Sequence, residues 1–156
     1  MLTIIGCGNL NRSDDGVGVV IAQRLAAEVG SGLANRVRVF DAGTDGMGVM
    51  YQARGASALI LIDASRSGAE PGAVFEVPGG ELERRPESSL NLHDFRWDNA
   101  LFVGRQIFGD DFPDDVTVYL VEAQNLELGL ELSPTVERAA EIVTGKIRGR
   151  IAEWVS

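Results

Sequence analysis

The segment "ALILIDAS", residues 58–65, constrains the fold more than any other part of the chain. Its apolar residues do not alternate with polar ones, as they would on a strand with one wet face. A short run of this kind fits a central strand buried on both sides, the condition of a parallel sheet covered by helices. Other short apolar runs flank it and alternate with amphipathic stretches. "LTIIG" (2–6), "VRVFDAG" (37–43) and "DVTVYLVEA" (115–123) read as strands. "AVFEVP" (73–78), alternating and closed by proline, reads as an edge strand.

Between these runs the spacing predicts helices. One extends from about Gly16 to Glu28, with Val17, Val20, Ile21 and Leu25 on one face. A short one covers 44–54, weakened by Gly46 and Gly48, with Thr44 as a candidate N-cap. A third runs from about His93 to Phe108 and places Trp97, Leu101, Gly104 and Phe108 in one row. The last begins at "SPTVE", with Ser133 as N-cap and Pro134 in the first helical position. Val136, Ala139, Ala140, Val143, Ile147 and Ile151 form its apolar stripe. The polar, proline-broken segment 79–91 is expected to be a loop. Strand and helix alternation of this kind specifies an α/β fold of three layers: a largely parallel twisted sheet of about five strands, with helices on both faces.

No repeat, low-complexity tract or linker divides the 156 residues, so 1–156 is expected to form a single domain. Fourteen Lys plus Arg against 23 Asp plus Glu leave a net charge of −9, which argues against a nucleic-acid or anionic-membrane partner. The single cysteine cannot form an internal disulfide and fits a reducing compartment. No basic region precedes the first apolar run, as a signal peptide would require, and no run approaches the roughly 20 apolar residues of a membrane span. The cytoplasm is the expected location. A monomer is the expected state, since no long apolar surface stripe is evident.

In open parallel sheets, ligands sit beyond the carboxyl ends of the strands. Three polar stretches should gather there: "CGNLNRSDD", "DAGTDG" and "DAS". The first resembles a dinucleotide loop only in part. Gly6 and Gly8 fit, but Asn11 stands where the third glycine belongs, and Asp14 and Asp15 would repel a phosphate at the helix entrance. No Gly-Lys-Ser/Thr follows, so a phosphate-binding P-loop is excluded.

Capping accounts for one of the two aspartates but does not require a pair. Asp63 closes a buried strand, as either a turn residue or a site residue. His93 is the only histidine, and a lone histidine is more often a surface or capping residue. Taken together they point to a cation. Carboxylates at one sheet mouth repel unless they are protonated or bridged, and an added imidazole completes an oxygen and nitrogen set suited to nickel or zinc. Cys7 is the competing nucleophile, although a residue between two glycines at a strand end reads more simply as packing. "GASAL" ends in Leu59 and so lacks the serine elbow.

"GCGNLNRSDDGVGVVIAQRL", "DAGTDGM", "LILIDAS" and "NLHDF" resemble, in this order along nearly the whole chain, the [NiFe] hydrogenase maturation endopeptidases. "NLHDFRWDNAL" is most like the branch serving uptake hydrogenases. The resemblance implies a five-stranded twisted sheet between helices and removal of a C-terminal extension from a hydrogenase large-subunit precursor. It also implies metal contacts at Asp15, Asp63 and His93, with nickel supplied by the client rather than carried permanently. Asp15 stands where some relatives use Glu. Asp41, Gly43 and Thr44, in "DAGT" beside the expected metal position, are the expected substrate-recognition residues. No catalytic residue separates from the metal contacts: nickel could activate water, or position the peptide while a carboxylate acts as base. A metal-binding or metal-loading chaperone without catalysis is the alternative function, and a nucleotide-binding regulator a third.

Overall fold

A computed structural model describes residues 1–88, 91 and 94–156. Five strands form one sheet: β1 (Leu2–Cys7), β2 (Val37–Gly43), β3 (Ala58–Ser65), β4 (Val74–Pro78) and β5 (Asp115–Glu122), in the order β2-β1-β3-β5-β4. β1 pairs in parallel with β2 and β3, and β3 with β5. β4 runs antiparallel along the edge of β5, where the missing N–H of Pro78 costs little. The helices are α1 (Val17–Val29), α2 (Gly46–Ala53), α3 (Trp97–Phe108) and α4 (Pro134–Val155). None of the described helices is long and apolar enough to cross a membrane.

The two faces of β3 explain its composition. Ile60 and Ile62 point to a cluster that includes Ile21 and Leu25 of α1 with Val136, Val143 and Ile147 of α4. Leu59 and Leu61 point the other way, among Val49, Met50, Ala100 and Leu101 of α2 and α3. All four are fully buried, so no position on this strand tolerates a polar residue until its carboxyl end. Period-two alternation puts Asp63 in the row of Leu59 and Leu61. It therefore emerges on the α2 and α3 side.

Helix α1 lies close on the sheet because Gly18 meets it. A Cβ at Gly18 would stand 2.3 Å from the carbonyl oxygen of Ile62. Chain connections leave β1 toward β2 on one side, while the next strand, β3, lies on the other. The crevice at the carboxyl ends of β1 and β3 is thus the topological switch point of the sheet.

Several expected boundaries move. Helix α3 starts at Trp97 rather than near His93, because Arg96 is fully extended at φ −104° and ψ 176°. Its backbone N–H donates instead to Asn99 Oδ1 at 3.2 Å. Asp45, not Thr44, caps α2, its Oδ1 accepting from the Gly48 N–H at 2.9 Å. Ser133 occupies the N-cap of α4, but its hydroxyl makes no capping bond. Within the expected loop 79–91, Gly79–Glu81 form a 3-10 turn.

Candidate active site

The two adjacent aspartates separate into different environments. After β1 the chain turns through a short 3-10 helix, Ser13–Gly16, that Ser13 begins at a positive φ of 52°. This conformation is uncommon for serine and is held from outside. The Ser13 hydroxyl donates to the Glu127 carbonyl at 2.8 Å, and the Ser13 N–H to the Gly129 carbonyl at 2.9 Å. Asp14 then points inward and is fully buried. Its Oδ2 accepts from the N–H groups of Gln124 and Asn125 and from the Ser133 hydroxyl, at 2.8–2.9 Å. Its Oδ1 accepts from the Ser133 N–H at 2.7 Å. Asp14 is not a helix cap. It ties the turn after β1 to the segment joining β5 to α4, and Ser133 is turned toward it rather than toward its own helix.

Asp15 is half-buried and faces a cavity of about 170 Å³ at the switch point. Cys7, Gly8, Gly43, Thr44, Asp63 and Arg96 also line this cavity. Asp15 Oδ2 accepts from the Asn9 N–H at 2.9 Å. Between the two acids lies Gly8, at φ +132°. A Cβ there would fall 1.9 Å from the Asp15 carbonyl oxygen and 3.5 Å from Asp63 Oδ1. Only glycine lets the loop pass between them.

Asp63 is almost completely buried, yet every polar contact it makes is a donor's. Its own neighbour Ala64 donates to Oδ1 at 2.8 Å. The indole N–H of Trp97 donates to Oδ2 at 2.8 Å, and the Arg96 guanidinium to the same oxygen at 3.1 Å. Burial pushes the carboxyl from its ordinary value near 3.8 up to about 6; the Trp97 and Arg96 bonds oppose that rise, and the charge of Asp15 adds to it. The Cys7 thiol is pushed well above its ordinary value, first by burial and then by Asp63. A thiolate is disfavoured there, which suits Cys7 as part of the core rather than as a nucleophile.

Sequence reasoning placed Asp15 and Asp63 on one cavity, and they share it. Gly43 and Thr44 line it as well. Asp41 does not. The register between β1 and β2 shifts after Gly6, so that Gly6 faces Asp41 and Cys7 faces Gly43. Below this bulge the Asp41 carboxylate accepts from the Gly43 N–H at 2.9 Å and from Gln23 at 3.2 Å, along a neighbouring groove. His93 lies outside the described residues. Among those described, no three His, Cys, Asp or Glu side chains form a metal-holding group. Sequence reasoning gave Arg96 no role and placed Trp97 only in the row of a helix. Both sit in "FRWDN", where a cation before an aromatic residue carries no signal until the fold brings them to Asp63.

An open, mainly parallel sheet with two carboxylates lining one cavity at its switch point, one of them desolvated, makes an acidic site on an α/β fold. The chain belongs to the hydrogenase maturation protease family, whose HycI group matches residues 19–149. It is an endopeptidase of hydrogenase maturation. It is 27% identical over 154 residues to the hydrogenase 2 maturation protease of Escherichia coli, covering 97% of this chain and 91% of that protein. The fold is shared with the hydrogenase maturating endopeptidase HybD of E. coli at a TM-score of 0.72 and 22% identity, over 97% of this chain and 92% of the other. The [NiFe] hydrogenase maturation protease HybD of Thermococcus kodakarensis superposes at 0.73 with 22% identity, over 97% and 98% of the two chains.

Proposed function

We propose that this endopeptidase removes the C-terminal extension of a [NiFe] hydrogenase large-subunit precursor after nickel insertion, and that it reads the client's nickel through Asp15, Asp63 and His93. The observation that carries this reading is the pair of carboxylates on one small cavity, Asp15 half-exposed and Asp63 desolvated until its carboxyl titrates near 6. Two such acids facing each other are costly unless a cation joins them. Oxygen donors with one imidazole form a borderline set that accepts nickel without the thiolates that would hold it tightly. A metal delivered on another protein suits them better than one captured from solution. Asp15 Oδ2 and Asp63 Oδ1 each accept one hydrogen bond, and Gly8 sets no side chain beside Asp63 Oδ1.

The nickel is part of the substrate. Its attachment to the enzyme fixes the client chain at one point and holds the adjacent peptide bond over the site, and such positioning supplies several kcal/mol of the barrier. Gly43 and Thr44, which line the same cavity, are the contacts for the peptide that follows. Asp41, one groove further out, contacts a more distant part of the client. The enzyme works in the cytoplasm as a monomer. The test is to mix purified enzyme with nickel-loaded and nickel-free precursor and follow the loss of mass at the client C-terminus. Cleavage confined to the loaded precursor is the expected result. Equal rates on both would remove nickel as the signal.

A further inference from the structure

We infer that Arg96 is a specificity residue: a built-in cation that holds Asp63 in the client-free enzyme and keeps bare divalent metal off the Asp15 and Asp63 site. The inference rests on the proposed reading of those two acids as the nickel contact. The geometry is unusual in how it divides the work on one carboxylate. Trp97 is buried, and its indole N–H reaches Asp63 Oδ2 at 2.8 Å. That neutral bond alone would orient the carboxylate. Arg96 adds a second bond to the same oxygen at 3.1 Å, from a side chain 59% exposed, to a carboxylate 5% exposed. What the guanidinium supplies beyond orientation is charge, and it supplies that charge on a long, solvent-facing stem able to swing away.

The two oxygens of Asp63 face different neighbours. Oδ2 takes both donors, whereas Oδ1 takes the Ala64 N–H and lies beside Gly8, on the cavity that Asp15 also lines. A dication entering between Asp15 and Asp63 would therefore meet a full positive charge across a single carboxylate. The other charges on the cavity wall are Asp15, Asp45 and Asp63, so Arg96 is its sole cation among the described residues. Hydrated nickel(II) carries its whole charge into this field. Nickel already seated in a protein is wrapped in deprotonated donors, and its net charge is lower. The guanidinium thus opposes the first and spares the second. Metal-loaded client is favoured over free metal, and an enzyme that cannot fill its own site cannot mistake an empty client for a finished one.

Calorimetric titration of the purified full-length protein with aqueous nickel(II) tests this. The variants are Arg96→Gln, which removes the charge, Arg96→Lys, which keeps it, and Asp63→Asn, alone and combined with Arg96→Gln. Circular dichroism establishes that each is folded. A charge a few ångströms from a site changes ionic equilibria by about a power of ten even when partly solvent-screened, so Arg96→Gln should bind nickel(II) roughly tenfold more tightly than the wild type. Arg96→Lys should stay near the wild type, and Asp63→Asn should abolish binding in both backgrounds. Equal affinity in wild type and Arg96→Gln, with binding still dependent on Asp63, would overturn the role of Arg96 and leave the two-carboxylate reading standing. Nickel(II) binding unaffected by Asp63→Asn would overturn that reading and the inference together. Absence of binding by both wild type and Arg96→Gln at millimolar nickel(II) would also overturn the inference, since removing the guanidinium would then have uncovered nothing.

Discussion

Replacing Asp14 by Asn should cost stability, whereas the same change at Asp15 should cost only activity. Asp14 is fully buried and receives four bonds, three from backbone N–H groups and one from the Ser133 hydroxyl. An asparagine with its oxygen at the Oδ2 position keeps three of these as neutral bonds, but it turns an NH2 group onto the Ser133 N–H. Bonds to a charged acceptor are each stronger than neutral ones by about 1 kcal/mol, and the orphaned N–H adds about 1–3 kcal/mol. The total is on the order of 4 kcal/mol, in the range of other broken buried networks. For a domain of this length 1 kcal/mol is about 2–4 °C, so Asp14→Asn should melt about 10 °C below the wild type. Ser133→Ala, which removes only the hydroxyl bond, should fall by about 3 °C. Asp15→Asn retains an acceptor for the Asn9 N–H and should stay within about 2 °C while client cleavage disappears. Thermal unfolding followed by circular dichroism reads all three. Limited proteolysis of residues 123–132 should detect a loosened segment in Asp14→Asn alone. If Asp14→Asn and Asp15→Asn melted together, the assignment of one acid to the fold and the other to the site would be refuted.

Asp63 gives a pH prediction with opposite signs for stability and activity. Its folded carboxyl titrates near 6, above its ordinary value near 3.8, so the folded state binds the proton more tightly than the unfolded chain. The stability it contributes is full below about pH 4 and is lost as pH rises through 6; cleavage, which uses the ionised form, should rise across the same upper range with a midpoint near 6. A pH–rate profile that is flat from 5 to 7 would count against the role of Asp63. Cys7→Val should process the client at a near wild-type rate, because the buried thiol is core; loss of cleavage in a folded variant would restore it as a nucleophile. Gly8→Ala should lose both stability and cleavage, because its methyl would overlap the Asp15 carbonyl oxygen, and a melting curve unchanged from wild type would show that the turn can relax. Asp41→Asn, outside the main cavity, should alter which client variants are cut more than it alters melting, and an unchanged client range would dissociate Asp41 from recognition.

Most of the framework was legible because it rests on periodicity. The apolar strands, the edge position of β4 and the stripe of α4 all follow from which residues must be buried, and that information is local. Boundaries were less legible where a side chain turned from its neighbours to a distant partner. Ser133 has the composition of a helix cap, and its hydroxyl serves Asp14 instead. Thr44 has the same character, yet helix α2 begins at Gly46 and Asp45 takes the capping position. Helix α3 begins late because the extended backbone of Arg96 ends the approach to it, and nothing in "HDFRW" announces that. That Asp15 and Asp63 meet at one cavity could be foreseen because each follows the carboxyl end of a strand in one parallel sheet, where such ends gather.

The adjacency of Asp14 and Asp15 shows why such a site is both conspicuous and ambiguous in one sequence. Capping, the ordinary reason for acids at a helix entrance, describes neither of them. Asp14 works inward, and its four bonds reach across more than a hundred residues of sequence. Asp15 works outward, on a turn that those bonds and the contacts of Ser13 hold in place. A loop carrying a lone catalytic-type carboxylate would be free to move away from Asp63, since like charges repel. The buried aspartate prevents this by fixing the turn from below, and Gly8 lets the strand end pass close against the Asp15 carbonyl oxygen. Arg96 offsets part of the repulsion through its bond to Asp63, and the remainder is held in the folded protein. In the proposed function, the electrostatic cost that makes the pair look unfavourable is the quantity that would favour a positively charged substrate centre.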